Sequence, residues 1–210
     1  MNGRISILGL VALGVTALHG APALAQAHAG SQDLQIYGGE MFGDRLAETP
    51  LSGKHPLLDD DAVFGGRYTY DFTGQWGLQL SAGYSPSRVG HVMGGDSNLG
   101  LTTADLDVLW NVTPGFTVAG RTLMPYTEVG VGYAWAHLDH PLYGVIGTTP
   151  VTFTDSNGYT ANVGLGAKYF MTSNFFVDFD ARYRYLSRLI NRDGQALNTG
   201  ETTLGLGYQF

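Results

Sequence analysis

Apolar and polar residues alternate with a period of two along most of the chain after residue 26. The clearest segment runs from Phe175 to Tyr185. One set of alternate positions is Phe175, Val177, Phe179, Ala181, Tyr183 and Tyr185, and the other is Phe176, Asp178, Asp180, Arg182 and Arg184. Successive side chains of a β-strand point to opposite faces, whereas a helix would spread both sets around its circumference. The pattern predicts a strand with one apolar and one charged face.

Seven further segments alternate in the same way, so the sequence predicts eight strands. Their predicted bounds are 33–43, 62–72, 76–85, 101–112, 124–138, 158–170, 175–187 and 200–210. The first segment is the least regular, because its phase is ambiguous around Gly38 and Gly39. We place Glu40 on the polar face, which puts Tyr37 and Met41 on the apolar face and implies a bulge or an imperfect start.

The connections between the predicted strands alternate in length. Long, polar connections span 44–61, 86–100, 139–157 and 188–199, whereas 73–75 and 171–174 are short and 113–123 is intermediate. Long loops at one rim and short turns at the other are typical of a transmembrane β-barrel whose long loops face outside the cell. We therefore predict an all-β protein, an eight-stranded antiparallel up-and-down transmembrane barrel. Val151 and Phe153 alternate within 139–157, which predicts a protruding hairpin there.

The distribution of charge decides which face meets lipid. The apolar faces are nearly free of charge and end in Trp and Tyr, which prefer the membrane–water interface. The polar faces group acids and bases instead of scattering single charges as a soluble sandwich does. We predict that these residues point into the barrel and form an ion-pair network in its lumen. The acids are Glu40, Asp71, Asp105, Asp107, Glu128, Asp178 and Asp180, and the bases are Arg67, Lys168, Arg182 and Arg184.

Composition narrows the interpretation further. The 210 residues include 31 glycines, and many of these alternate with the apolar positions, where a narrow eight-stranded lumen requires small residues opposite large ones. The absence of cysteine excludes disulfides, thiolate metal sites and cysteine nucleophiles. A net charge of -7 argues against a nucleic-acid partner, because such proteins present basic surface to phosphates.

The first residues have the features of a secretory signal peptide. Arg4 supplies the positive charge, Ile5–Leu18 is an uncharged and largely apolar segment, and Ala23-Leu24-Ala25 matches a small-x-small cleavage site. The 14 residues of the apolar segment are fewer than the ~20 that a spanning helix needs. We predict cleavage between Ala25 and Gln26. The predicted organisation is a signal peptide over 1–25, a short N-terminal segment over 26–32 and a barrel domain over 33–210.

Two motifs resemble a known family. Thr203, Gly205, Tyr208 and Phe210 occupy the positions of polar-x-Gly-x-x-aromatic-x-Phe, the C-terminal targeting strand of bacterial outer-membrane proteins. The segment 125–133 resembles the Pro-Tyr-x-x-x-Gly-x-Gly-Tyr fifth strand of small eight-stranded outer-membrane barrels of the OmpA/OmpX-like type. The resemblance covers essentially all of 33–210 and concerns architecture, not activity.

The resemblance implies an integral protein of the outer membrane of a Gram-negative bacterium, exported through the general secretion route, with both termini in the periplasm. Outer-membrane lipids would surround it, and the barrel-assembly machinery would recognise its C-terminal strand through Thr203, Gly205, Tyr208 and Phe210. We expect a monomer without a cofactor. An extracellular partner at the loops is not identified by the sequence.

Three functions remain open for such a barrel: an interaction protein, a narrow ion-conducting pore and a lipid-modifying enzyme. We expect a structural or surface-interaction role through four extracellular loops, because an eight-stranded lumen is filled by side chains. His137, Asp139 and Ser156 are the candidates for catalysis, but the His-x-Ser pair of lipid A deacylase barrels and the Gly-x-Ser-x-Gly elbow are both absent from the sequence. Without these motifs we expect no enzymatic activity. The acidic run at 59–61 lacks EF-hand spacing, so we expect no metal site there.

Overall fold

Eight long strands account for most of the structure. The computed structural model describes residues 28–43, 57–58, 60–90, 97–112, 115–146, 149–153, 155–187 and 196–210, and the predicted cleavage site at Ala25 and Gln26 lies outside them. Within this part of the chain, no helix is long and apolar enough to cross a membrane. The strands are β1 (Gln32–Phe42), β2 (Asp61–Asp71), β3 (Trp76–Gly90), β4 (Ser97–Asn111), β5 (Arg121–Leu138), β6 (Ser156–Phe170), β7 (Phe175–Leu186) and β8 (Leu197–Gln209).

The eight strands close into an antiparallel barrel. Each strand pairs with the next one along the chain, and β8 pairs with β1 from Asp33 opposite Gln209 to Phe42 opposite Gly200. At this seam the backbone N–H of Phe210 donates to the carbonyl of Gln32 over 2.9 Å. Closure leaves no open edge among these strands, which a membrane requires because lipid offers no hydrogen bonds to a bare strand. The predicted eight-stranded up-and-down barrel is confirmed.

The connections divide the barrel into two rims. We call the end formed by Phe42, Gly90, Leu138 and Leu186 the loop rim, and the opposite end, where β1 begins and β8 ends, the terminal rim. At the loop rim several strands are longer than predicted: β3 continues to Gly90, and β4 begins at Ser97. In these extensions Arg88 and Asn98 make the outer face polar while the inner face combines Ser87 with Leu99, so hydrophobic alternation fades although the backbone pairing continues to Val89 opposite Ser97.

Three smaller pairings accompany the barrel. Leu142–Ile146 pairs with Thr149–Phe153 as a separate two-stranded sheet, which confirms the hairpin predicted between β5 and β6. Leu57–Leu58 adds to the end of β3, and Phe116–Val118 folds back on the start of β5 at the terminal rim.

The predicted phase of β1 is wrong. Its pairing with β8 and with β2 runs without interruption through Gly38 and Gly39, so no bulge shifts the alternation. Glu40 therefore lies on the outer face and is exposed, whereas Tyr37 and Met41 are buried in the lumen. Sequence reasoning placed these apolar side chains toward lipid, but the lumen near the loop rim accepts them because Gly65 and Gly83 leave room for the Tyr37 ring.

The outer face is the apolar surface that the sequence predicted. Large hydrophobic side chains cover it, including Ile36 at 69% exposure and Leu165 at 61%. Aromatic pairs lie toward its two margins: the rings of Trp76 and Trp110 are 6.3 Å apart near the terminal rim, and Tyr133 and Trp135 are 4.9 Å apart near the loop rim. In water such a surface would be unusually large for a monomer, so its position on a closed barrel indicates contact with lipid.

Glycines on the inner face make room for large side chains of the neighbouring strands. A Cβ atom added at Gly166 would lie 2.4 Å from ring atoms of Tyr126, and one added at Gly207 would lie 2.1 Å from the ring of Phe176. Ordinary side-chain contacts begin near 3.5 Å, so neither position has space for a methyl group. The glycine content and the bulky lumen residues are therefore two parts of one packing arrangement.

Replacing Leu165, midway along β6 on the outer face, tests whether that face meets lipid. Leu165→Arg is expected to destabilise the barrel by about 2–4 kcal/mol, the cost of an arginine near the bilayer midplane. Unfolding in urea from phospholipid vesicles gives the free energy. Thr152→Arg, in the exposed hairpin beyond the barrel, is the matched control and should change stability by less than about 0.5 kcal/mol. Equal effects of the two arginines would contradict a lipid-facing outer surface.

Candidate functional site

The lumen contains a dense set of buried charges. Ten of the eleven residues that the sequence placed there are buried inside the barrel, the exception being Glu40. Asp33 and Glu201 join them and were missed, although strict alternation from Gln35 and from Thr203 assigns both to the inner face. The buried carboxylates are Asp33, Asp71, Asp105, Asp107, Glu128, Asp178, Asp180 and Glu201, and the buried cations are Arg67, Lys168, Arg182 and Arg184.

Strand β7 contributes four charged residues to this network, more than any other strand. Between Phe176 and Leu186 its inward positions are, in order, Asp178, Asp180, Arg182 and Arg184, so two acids and two bases follow one another along the lumen. Arg67 of β2 reaches across to the acidic half, with 2.7 Å from Nη2 to Asp180 Oδ1 and 3.4 Å from Nη1 to Asp178 Oδ2. The period of two thus places the two acids next to each other on the inner face of β7, and a facing strand supplies the opposite charge.

Arg182 is the centre of the network. Its Nη2 atom lies 2.5 Å from Glu128 Oε1, and its Nη1 atom lies 3.5 Å from Asp107 Oδ2 and 3.7 Å from Asp105 Oδ2. Its Nε atom is 3.9 Å from Asp180 Oδ1. One guanidinium therefore faces four carboxylates, two from β4, one from β5 and one from β7 itself. The planar, multi-donor guanidinium suits this shared position better than an ammonium would.

The network continues from Arg182 toward the loop rim. Arg184 pairs with Asp105 at 2.7 Å and with Glu201 of β8. Thr203, next to Glu201 on the inner face of β8, accepts a hydrogen bond from Arg67 at 3.2 Å. The charged layer therefore links β8 to strands on the far side of the barrel.

A second charged group lies toward the terminal rim. Lys168 pairs with Asp33, and its Nζ atom is 5.4 Å from the centre of the Phe176 ring. Asp71 accepts hydrogen bonds from the Ser31 hydroxyl at 3.0 Å and from the Asn111 amide at 3.5 Å. This group ties the first residues of β1 to β6 across the lumen.

Neutral donors complete the network, since eight carboxylates share four cations. A buried carboxylate that lacks a full cationic partner is stabilised by hydrogen bonds to its oxygens. The sequence analysis missed these donors, although each lies on an inward position of its strand. They are Gln35 to Asp178 (2.8 Å), Gln79 to Glu128 (3.0 Å), Tyr126 to Asp178 (3.0 Å), Thr160 to Asp105 (2.7 Å) and Asn162 to Asp107 (2.8 Å).

Two apolar clusters lie on either side of the charges around Arg182. Near the terminal rim, Met124, Phe170 and Phe176 form a buried cluster. A larger cluster lies at the loop rim, where apolar residues occupy inward positions. Its members are Tyr37, Met41, Val63, Leu99, Leu101, Ala134, Ala136, Leu138, Leu186 and Leu197. The lumen is therefore filled along its length: an apolar layer at the loop rim, the charged network around Arg182, and a mixed apolar and polar layer at the terminal rim.

The four residues of the predicted C-terminal targeting motif divide between the two faces of β8. Thr203 is buried in the lumen, and Gly205 lies against the Gln35 side chain, which occupies the space that a Cβ would need. Tyr208 and Phe210 lie on the outer face with ring centres 6.1 Å apart. Tyr208 also contacts Phe175 at 4.9 Å, so this end of β8 forms part of the aromatic margin at the terminal rim.

Polar residues join β5 to the start of β6 at the loop rim. His137 Nδ1 lies 2.9 Å from Asp155 Oδ2, and the Leu138 N–H donates to Asp155 Oδ1 at 3.0 Å. The Leu138 hydrogen bond and then the His137 contact lower the pKa of Asp155 below its usual range. Asn98 donates to Asp139 at 3.0 Å. The described residues contain no group of three His, Cys, Asp or Glu side chains placed to hold a metal ion.

Comparisons with known proteins agree with this architecture. The sequence profile described as "Outer membrane protein beta-barrel domain" matches residues 10–210. No curated protein matches the chain. OprG of Pseudomonas aeruginosa is 19% identical with a TM-score of 0.55, over 89% of this chain and 99% of OprG. Neisserial surface protein A is 12% identical with a TM-score of 0.54, over 87% and 98%.

A third similar structure is Ail, the attachment invasion locus protein of Yersinia pestis, in complex with the heparin analogue sucrose octasulfate. It is 18% identical with a TM-score of 0.51, over 87% of this chain and 99% of Ail. At these identities the likeness concerns the fold.

Removing the central guanidinium should destabilise the barrel strongly. Arg182→Met keeps much of the side-chain volume but leaves buried carboxylates without their shared cation, which costs about 3–5 kcal/mol when a buried pair is broken. The free energy of unfolding in urea measures the loss. Arg88→Met, on the outer face of β3 and exposed, is the matched control and should cost under about 1 kcal/mol. If both variants unfold at the same urea concentration, Arg182 does not hold the lumen together.

Proposed function

Because the chain belongs to the outer membrane protein β-barrel domain family, we propose that it is a structural and surface-interaction protein of the outer membrane. In this role the barrel is a rigid, closed support, and four connections at the loop rim face the outside of the cell. These connections follow β1, β3, β5 and β7. Loops on a rigid framework are where binding functions concentrate. The termini then lie on the periplasmic side.

The filled lumen is the observation that carries this proposal. A pore needs a continuous water path, whereas here the charged layer around Arg182 lies between two apolar clusters, and Leu99 and Leu101 at the loop rim are almost fully buried. A shared guanidinium with carboxylates within 4 Å on several strands also resists displacement by a passing ion. These features favour a barrel that does not conduct.

A non-enzymatic role is part of the same proposal. The pairing of His137 with Asp155 lies at the base of the Leu142–Ile146 and Thr149–Phe153 hairpin and connects its two ends. At this position the His137–Asp155 pair would fix the orientation of the hairpin relative to the barrel. The charged residues around Arg182 are buried inside the lumen, where a lipid substrate would not reach them.

Export, assembly and oligomeric state complete the proposal. The predicted signal peptide over 1–25 would direct the chain to the general secretion route, and the barrel-assembly machinery would recognise β8 through Thr203, Gly205, Tyr208 and Phe210. We propose a monomer surrounded by outer-membrane lipids, since the closed sheet leaves no barrel strand to pair with a second copy.

Planar-bilayer recordings distinguish the closed barrel from a narrow pore. The purified protein is expected to give no steady conductance, because side chains fill the lumen at three levels. A general porin recorded in the same bilayers shows that channels are detectable, and the difference in gel mobility between heated and unheated protein shows that the barrel is folded. Long-lived, uniform current steps from folded protein would contradict the proposal and favour the pore.

Truncating Phe210 tests the proposed assembly signal. Phe210→Ala is expected to reduce insertion into the outer membrane of cells several-fold, because the machinery would lose the terminal aromatic ring. Phe175→Ala is a matched control: both rings belong to the same aromatic margin, with 56% and 53% exposure. Both variants should refold equally in detergent, which separates recognition from stability. Equal insertion of the two variants in cells would show that Phe210 is not part of a signal.

A further inference from the structure

We propose that four side chains in the lumen lock the seam between β1 and β8, and that position 205 is glycine so that this lock can form. We call Gln35, Arg67, Asp178 and Asp180 the seam lock. The proposal rests on the proposed membrane barrel and goes beyond its assembly signal, because it gives Gly205 a role inside the lumen that does not depend on recognition by another protein.

The side chains of the seam lock pass over the inner face of β8. Gln35 of β1 donates from Nε2 to Asp178 Oδ2 of β7 over 2.8 Å. Arg67 of β2 reaches the same strand, with its Nη2 atom 2.7 Å from Asp180 Oδ1. Strand β8 lies between β7 and β1 in the sheet, so both contacts join the two sides of the seam across the last strand.

The inner face of β8 carries no side chain where Gln35 crosses it. Asp178 lies opposite Gly205 on one side of β8, and Gln35 lies opposite Gly207 on the other. A Cβ atom added at Gly205 would lie 2.9 Å from Gln35 Cδ and closer still to its Nε2 atom. Ordinary contacts begin near 3.5 Å, so a methyl group here would push the amide away from Asp178. Glycine is therefore the residue that lets Gln35 lie across β8.

Thr203 attaches β8 itself to the lock. Its hydroxyl accepts a hydrogen bond from Arg67 Nη2 at 3.2 Å, and it lies opposite Asp180 in the register of β7 and β8. The side chains of the lock are buried, and hydrogen bonds to charged groups are strong where water does not compete. Thr203 and Gly205 thus act on the inner face of β8, whereas Tyr208 and Phe210 lie on its outer face.

The order of the strands explains why a lock is useful at this seam. Every other pair of neighbouring barrel strands is consecutive in the chain, so a connecting segment limits their separation. Strands β1 and β8 come from opposite ends of the barrel domain and are held together without such a segment. Lys168 of β6 adds a further bridge toward the terminal rim, since it pairs with Asp33 of β1 across β7 and β8. Side-chain bridges here replace the restraint that connections give elsewhere.

A matched contact lies away from the seam. Gln79 of β3 donates to Glu128 Oε2 of β5 over 3.0 Å, across β4. Gln79 is buried like Gln35, and each amide serves a carboxylate two strands away. The connections before and after β4 restrain the strands that Gln79 joins. Gln79→Ala therefore removes the same kind of hydrogen bond without affecting the seam.

Amide hydrogen exchange in phospholipid nanodiscs measures opening of the seam. Ile36 and Leu206 are paired across the seam, and Leu106 and Val131 are paired between β4 and β5. Gln35→Ala is expected to speed exchange of the first pair at least about tenfold and to leave the second pair unchanged, the effect of losing one hydrogen bond to a buried charge. Gln79→Ala should leave the seam pair unchanged. An equal change at both pairs in the Gln35 variant, or none at the seam, would overturn the lock.

Gly205→Ala tests the assignment of the glycine. Alone, it should speed exchange of the Leu206 amide about as much as Gln35→Ala does, because its methyl group displaces the same amide. In the Gln35→Ala background it should add less than about twofold, since the space is then free. Gly38→Ala on β1 is the matched control, because a Cβ there meets only the Val63 carbonyl at 3.8 Å. Equal effects of Gly205→Ala in both backgrounds would overturn the assignment.

Insertion into the outer membrane of cells separates the lock from recognition. The gel-mobility difference between heated and unheated protein reports folding of each variant. If Gly205→Ala inserts poorly while its seam exchange matches the parent, Gly205 belongs to the assembly signal and its role in the lock is overturned. If Gly205→Ala does not fold, Gln35→Ala against Gln79→Ala decides the question: faster exchange of the seam pair in the Gln35 variant alone supports the lock, and equal exchange excludes it.

Discussion

The narrow lumen is the constraint on which the rest of this structure depends. Eight strands enclose only enough space for side chains, and the chain fills that space with a guanidinium, Arg182, that several carboxylates share. Such charges are tolerated away from water only when each is paired or hydrogen-bonded. Because the partners lie on different strands, the ionic layer couples the wall of the barrel across its diameter.

Glycine placement follows from the same constraint. Gly130 and Gly132 of β5 lie beside Asp107 and Asp105, and a Cβ atom at either position would lie within 2.3 Å of a carboxylate oxygen. The carboxylates reach Arg182 and Arg184 because β5 presents bare backbone there. A glycine-rich composition, which would weaken an ordinary sheet, is thus compatible with a well-packed barrel in which side chains of the neighbouring strands fill the space that the glycines leave.

At the loop rim the same strands fill the lumen on their inner face and expose polar and aromatic side chains on their outer face. Inside, an apolar layer that includes Leu99 and Leu101 separates the charged network from the connections above it. Outside, the same extended strands carry Trp135 and His137 at the edge of the lipid band. Since side chains alternate between the two faces, the extension of β3 and β4 at the loop rim adds residues to the lumen and to the outer surface at once.

The sequence by itself determined the class of fold, the number of strands and most residues of each face, because a period of two is a local property that survives without knowledge of neighbours. It failed at Glu40, where Gly38 and Gly39 hide the phase, and at strand ends such as Gly90, where polar residues occupy both faces. Only the tertiary structure decided that Arg182 serves carboxylates from several strands and that Gln35 reaches Asp178 across β8. Register and closure bring together residues far apart in sequence, and no local pattern encodes those distances.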